Sequence, residues 1–149
     1  MTEASHEDVF VDRRTADQRA GELATPVLFW YDEEGKGRKR RRRTNGVAMT
    51  TDGVLMVART ICSRKDQFVK ANGRLVVEKR ILGRAKRHCW MLHLDSVGDC
   101  MEYCEAAATA YREMFPENEI GIKRAYNAGR VFANYQADIK KRADALDEL

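Results

Sequence analysis

Two pairs of residues with metal-ligand chemistry recur at one spacing: Cys89 with His93, and Cys100 with Cys104. Thiolate and imidazole are ligands that zinc favours. Spacing i, i+4 puts Cys100 and Cys104 on one side of a helix, and Cys89 and His93 on one side of a strand. His88 offers a fifth donor. The pattern is not that of a zinc finger or ribbon, however, and Cys100 and Cys104 fall within an apolar stripe, where free cysteine acts as a small buried hydrophobe. The expectation is therefore no metal and no other cofactor. Cys62, ahead of a helix N-terminus, has a setting that favours thiolate, but no Cys-His-Asx set accompanies it. Nucleophile elbow, zinc-protease, P-loop and dinucleotide glycine patterns do not occur. The paired acids Glu102 and Glu105, and Asp144, Asp147 and Glu148, read as solvated helix surface, so the chain is expected to be non-catalytic.

The other chemistry on offer is charge. Seven of the eight residues from Lys36 to Arg43 are cations: Lys36, Arg38, Lys39, Arg40, Arg41, Arg42 and Arg43. Such a loop can displace counterions from a polyanion, and its arginines offer bidentate geometry that lysine lacks. A second array, Lys70, Arg74, Arg80, Arg84, Lys86 and Arg87, follows on a helix. Trp30 and Tyr31, just before the run, are the candidates for stacking on bases, against the alternative that they belong to the core. The net charge of +4 conceals a block pattern. Residues 1 to 34 carry three Lys/Arg against nine Asp/Glu, residues 35 to 95 seventeen against four, and residues 96 to 149 seven against ten. A basic middle between acidic ends fits a polyanion-binding face.

The elements that must position these groups are legible in outline. Residues 1 to 24 are polar and acidic without a sustained period, and read as a flexible arm. A single α+β domain is expected over 25 to 149, a length that can bury a core unaided. Pro26 to Tyr31 predicts a strand closed by Asp32-Glu33-Glu34-Gly35. Asn45-Gly46 and Asp52-Gly53 predict two tight turns, with strands over Val47 to Thr50 and Val54 to Ile61. Ser63-x-x-Asp66 predicts a helix start, and the helix from Arg64 to Ile81 is expected to bury Phe68, Leu75, Val76 and Leu82 opposite its cations. A strand over 88 to 94 puts Trp90, Leu92 and Leu94 on one face.

A second helix, opened by Ser96-x-x-Asp99, carries the stripe Val97, Cys100, Met101, Cys104, Ala107, Ala108, Tyr111 and Phe115. A third runs from Asn118 to the C-terminus, with Ala125, Phe132, Ile139 and Leu146 at heptad spacing, a seam available to the domain itself or to homo-oligomerisation. The whole is a small, mainly antiparallel sheet packed against two amphipathic helices and a long C-terminal helix. The acidic start MTEASHEDVF has no apolar signal segment and no run of apolar residues spans a membrane, so a cytoplasmic protein with reduced thiols is expected.

The stretch ICSRKDQFVKANGRLVVEKRILGRA, residues 61 to 85, resembles a segment of small uncharacterised proteins encoded by tailed bacteriophages. The shared pattern is Cys62-Ser63, Lys65-Asp66, Phe68, Lys70 and Gly73-Arg74 with a basic tail. The resemblance implies a phage or prophage origin and a role in host bacterial cytoplasm, and brings no activity or catalytic residue with it. Charge and resemblance together suggest a phage accessory protein that binds nucleic acid, DNA or RNA, through phosphates. The alternative is a protein-interaction module that inhibits a host nucleic-acid enzyme or defence complex.

Overall fold

The strands pair in sequence order. In a computed structural model, described for residues 23–62, 69–94 and 100–148 (the side chains of 100 and 101 excepted), β1 (Leu28–Glu34), β2 (Arg41–Met49), β3 (Val54–Ile61) and β4 (Cys89–His93) make one antiparallel sheet in the order β1-β2-β3-β4. Three helices cover it: α1 (Lys70–Gly83) between β3 and β4, then α2 (Cys100–Met114) and α3 (Glu119–Asp147). This is the α+β architecture expected. Ahead of β1, Leu23 bridges to Thr50 and the Ala24 amide donates to the Met49 carbonyl, so the chain is tied to the sheet from the first described residues.

The sheet is buried on both sides. Trp30, Val47, Met49, Leu55 and Val57 pack against Ala107 and Tyr111 of α2 and Ala125, Ala128 and Phe132 of α3. On the other side Val54, Met56 and Ala58 meet Val77 and Ile81 of α1. Residues alternate between faces along a strand, so the nearly continuous apolar run of β3 is what a strand covered on both faces requires.

Asn45-Gly46 does not turn the chain; both residues lie inside β2. Gly46 instead provides room for α1, since a Cβ there would sit 2.7 Å from Val77 Cγ1 and 2.9 Å from Val27 Cγ1. Asn45 donates to Asp32 Oδ1 at 3.1 Å and to the Trp30 carbonyl at 3.5 Å. The hairpin turn between β2 and β3 is at Asp52-Gly53, where Gly53 has φ +86° and Thr50 Oγ1 accepts from the Val54 amide. β1 also runs further than expected, carrying Asp32, Glu33 and Glu34 into the sheet.

The buried side of α1 differs from the expected one as well. Gly73, Val77 and Ile81 face the sheet, whereas Leu75 is 54% exposed and Val76 36%. Gly73 lies so close to the Thr44 side chain that only a residue without Cβ permits the approach, and this fixes which face turns inward. Phe68 and the Ser63-x-x-Asp66 start lie outside the described residues, as do Val97 and the Ser96-x-x-Asp99 start.

The α2 stripe is buried at Cys104, Ala107, Ala108 and Tyr111. Asn118 caps α3, its side chain accepting from the Gly121 amide at 2.9 Å, and Tyr103 meets Phe132 edge to face at 5.0 Å between centroids. Of the heptad positions, Ala125 and Phe132 are spent on the domain's own core, whereas Ile139 and Leu146 are exposed. From Gln136 to Asp147 every residue is exposed, a projection of roughly 18 Å at 1.5 Å per residue.

α2 and α3 approach backbone to backbone at Gly129, where a Cβ would collide with the Tyr103 carbonyl and lie 2.9 Å from Cys104 Cα. Backbone cannot move aside as a flexible side chain can. Gly129→Ala is therefore expected to lower unfolding free energy by about 1–3 kcal/mol despite alanine's better helix propensity. A denaturant titration showing the variant equal to or more stable than the parent would contradict that packing.

Candidate nucleic-acid interface

The arginine-rich segment is only partly a loop. A short 3₁₀ turn spans Gly37–Lys39, and β2 begins at Arg41. Pairing with β1 then brings Asp32 opposite Arg43, Glu33 opposite Arg42 and Glu34 opposite Arg41. Arg43 makes a two-pronged contact with Asp32, from Nε to Oδ1 at 2.6 Å and from Nη2 to Oδ2 at 2.8 Å, with its side chain 16% exposed. Its hydrogen bond to Asp32 raises its pKa against the opposing effect of burial. Arg41 pairs with Glu34 at 3.2 Å and Arg40 with Glu33 at 3.3 Å.

Three expected phosphate ligands, Arg40, Arg41 and Arg43, are thus neutralised within the hairpin. The signal was present in the sequence, as three consecutive acids and a run of arginines on either side of a short connection. Arg42 is exposed but also engaged. Lys36, Arg38 and Lys39 remain on the turn, exposed, and no ion pair among the described residues involves them.

The α1 cations do not form a separate outward face. Lys70, Arg74, Arg80 and Arg84 flank the same strip as Val77 and Ile81. Arg74 donates to the Tyr31 hydroxyl at 2.8 Å and the Lys70 ammonium lies 4.7 Å from the Tyr31 ring centroid. Such a contact is attractive to the ring's negative face. Arg80 Nη1 donates to the Arg59 carbonyl at 2.5 Å. Arg84 ends the helix with φ +51° and lies toward the β2–β3 turn, where its charge helps to lower the Asp52 pKa, behind the larger effect of the Thr50 hydrogen bond. Lys86 and Arg87 follow it on an exposed connection. The second array therefore divides: Lys70 and Arg74 sit over the β1–β2 hairpin, and Arg84 belongs to the opposite end of the sheet.

Trp30 is core, 3% exposed and edge-on to Tyr111 at 5.9 Å, which removes it as a stacking platform. Tyr31 is partly exposed, with its hydroxyl and one ring face already used by Arg74 and Lys70.

The cysteine and histidine residues are not brought together either. Cys89 packs with the α1 side of the sheet and Cys104 is buried in α2 on the other side. The sheet itself separates them. His93 is exposed, the Cys100 side chain lies outside the described residues, and no cluster of three potential ligands occurs among those described. Burial pushes the Cys89 thiol up from an ordinary 9.0 to about 11.

No family model, curated protein or solved structure matches the chain.

Sequence reasoning gave no hint of a cleft of about 600 Å³ on the α2–α3 side of the sheet. Asp32, Arg43 and Arg59 line it from three strands, and Phe115 to Ile120 from the α2–α3 connection and the first turn of α3. Arg59 is set between rings, 5.1 Å from the Trp90 centroid and 4.5 Å from that of Phe115. Its pKa is lowered by desolvation first and by Arg43 second.

Arg43→Gln should lower unfolding free energy by about 1–3 kcal/mol, because Asp32 loses its charged partner. Changing Lys36, Arg38 and Lys39 together to glutamine should leave stability within about 0.5 kcal/mol. Thermal and denaturant unfolding of the two variants would show the opposite ranking if the turn rather than Arg43 were structural. For Cys89, the fold favours the neutral thiol. Its contribution is intact below pH 9 and declines as pH rises toward about 11, since the unfolded thiol ionises first. At pH 8, iodoacetamide should therefore label Cys89 slowly in the native protein and rapidly in denaturant, as followed by peptide mass spectrometry; equal rates would rule out the buried setting.

Proposed function

We propose that the chain is a non-catalytic accessory protein of phage origin that binds nucleic acid through phosphate contacts at the β1–β2 turn. The observation that supports it best is the local surplus of charge. Lys36, Arg38 and Lys39 are exposed beyond the last neutralised strand pair, and Lys70 and Arg74 gather at Tyr31 on the same hairpin. Phosphate contacts position a protein without reading bases, so unrelated DNA or RNA sequences should bind with similar affinity. The reading places the protein in the bacterial cytoplasm, where those polyanions are found. No helix among the described residues is long and apolar enough to cross a membrane.

A second reading, inhibition of a host nucleic-acid enzyme or defence complex by protein contact, is favoured by the exposure of Val69, just ahead of α1, and of Leu75 and Val76 on it. Under it, the isolated protein has little affinity for nucleic acid.

Fluorescence anisotropy with unrelated oligonucleotides over a salt series separates the two. With Lys36, Arg38 and Lys39 changed to glutamine, affinity should fall and the log–log salt slope should flatten by about 2–3, because up to three fewer counterions are released. A folded triple variant with the parent's slope would remove the turn from the interface. Absence of binding by the parent at low salt would leave the protein-partner reading.

A further inference from the structure

One row of residues across the sheet carries more polar atoms than it satisfies. Trp30, Asn45 and Arg59 are cross-strand neighbours on β1, β2 and β3. Each has a buried polar atom without a hydrogen-bond partner: Trp30 Nε1, Asn45 Oδ1 and Arg59 Nε. Tyr111, whose ring meets that of Trp30, adds a buried hydroxyl in the same condition. Buried polar groups are nearly always paired in native proteins, and of these four residues Arg59 is the one that also lines the cleft.

The charge balance at this place is specific. Asp32 is held by Arg43 through both oxygens and by Asn45, while no carboxylate among the described residues pairs with Arg59. Arg59 is accordingly the cation lining the cleft without an ion-pair partner, and it is already partly desolvated between Trp90 and Phe115. A desolvated guanidinium interacts more strongly with an anion than one in water.

The remaining walls select among anions. Glu117 and Glu119 also line the cleft, and their repulsion grows with ligand charge, which disfavours phosphates and polyanions. Phe115, Pro116 and Ile120 offer an apolar surface, Ile120 being 51% exposed. A volume of about 600 Å³ is that of a site for a small organic molecule rather than a bare ion.

We propose that this cleft binds a small organic monocarboxylate, its carboxylate on the Arg59 guanidinium and its apolar body against Phe115, Pro116 and Ile120. A planar guanidinium matches a carboxylate in a bidentate manner, and a single negative charge keeps the repulsion from Glu117 and Glu119 smaller than a phosphate would meet. The inference is independent of nucleic-acid binding, since the basic turn takes no part in the cleft.

The test is an NMR titration of the full chain with phenylacetate, following backbone amides and arginine Nε–H signals. Two control probes accompany it: phenylacetamide, which keeps the ring without the charge, and inorganic phosphate, which carries charge without the ring. Saturable shifts confined to Arg59 and residues 115 to 120 are expected, with Kd on the order of 1 mM. Phenylacetamide should bind at least about tenfold more weakly, a difference of ~1.4 kcal/mol. Ile120→Glu alters an exposed position and should weaken phenylacetate at least about tenfold while leaving thermal unfolding and oligonucleotide binding unchanged. Arg59→Gln should abolish the shifts where it folds, and Ile120→Glu decides the matter where it does not. Equal shifts from phenylacetamide would make the contact purely apolar, and equal shifts from phosphate would make Arg59 an unselective anion site. Either result, or the lack of localised shifts in the folded parent, overturns the proposal.

Discussion

The constraint on which the structure depends is that the middle of the sheet is covered on both faces. β2 and β3 have no solvent side over Val47–Met49 and Val54–Ala58, so every residue there must fit a neighbour on one layer or the other. α1 can reach its layer only because Gly46 and Gly73 remove side chains at the points of closest approach. Once the middle is apolar on both faces, polar chemistry is confined to the strand ends. Asp32, Arg43 and Arg59 occupy one such end, where Phe115 to Ile120 line the cleft with them.

Electrostatics follows the same geometry. The formal charge of residues 36 to 43 overstates what a partner would meet, because antiparallel pairing sets three carboxylates of β1 against the arginines of β2. Exposed ion pairs of this kind contribute little to stability, but they cancel much of the field. The Asp32–Arg43 pair differs in being largely buried and bidentate, and it belongs to the architecture. What remains for an external polyanion is a short lysine- and arginine-bearing turn rather than a seven-residue patch.

Much of this fold could be read from the sequence, and the failures share a cause. β3, β4, the α2 stripe and the Asn118 start were legible because each depends on local period or capping. Asn45-Gly46 misled because the same dipeptide that favours a turn also provides a close approach and a buried amide, and local propensity cannot tell these uses apart. The inward face of α1 misled because its apolar strip is narrow and bordered by cations, whose long stems lie along the sheet while their heads reach Tyr31 and the Arg59 carbonyl. Spacing along the chain also does not reveal that Cys89 and Cys104 lie on opposite sides of the sheet. The Arg59 cleft left no trace, since its walls come from five separate elements and connections with no motif among them.

Arg59 occupies an unusual mechanical position. Its carbonyl accepts from Arg80 of α1, its amide donates to the His88 carbonyl ahead of β4, and its side chain lies against Phe115 on the opposite layer. A single residue therefore joins the two helical layers through the thickness of the sheet. The surfaces that α1 and the α2–α3 connection present to solvent are consequently not independent: a shift of α1 along β3 draws on the same residue that sets the floor of the cleft. Changes on the two sides of the sheet thus share one contact residue, the circumstance in which their effects on stability need not add.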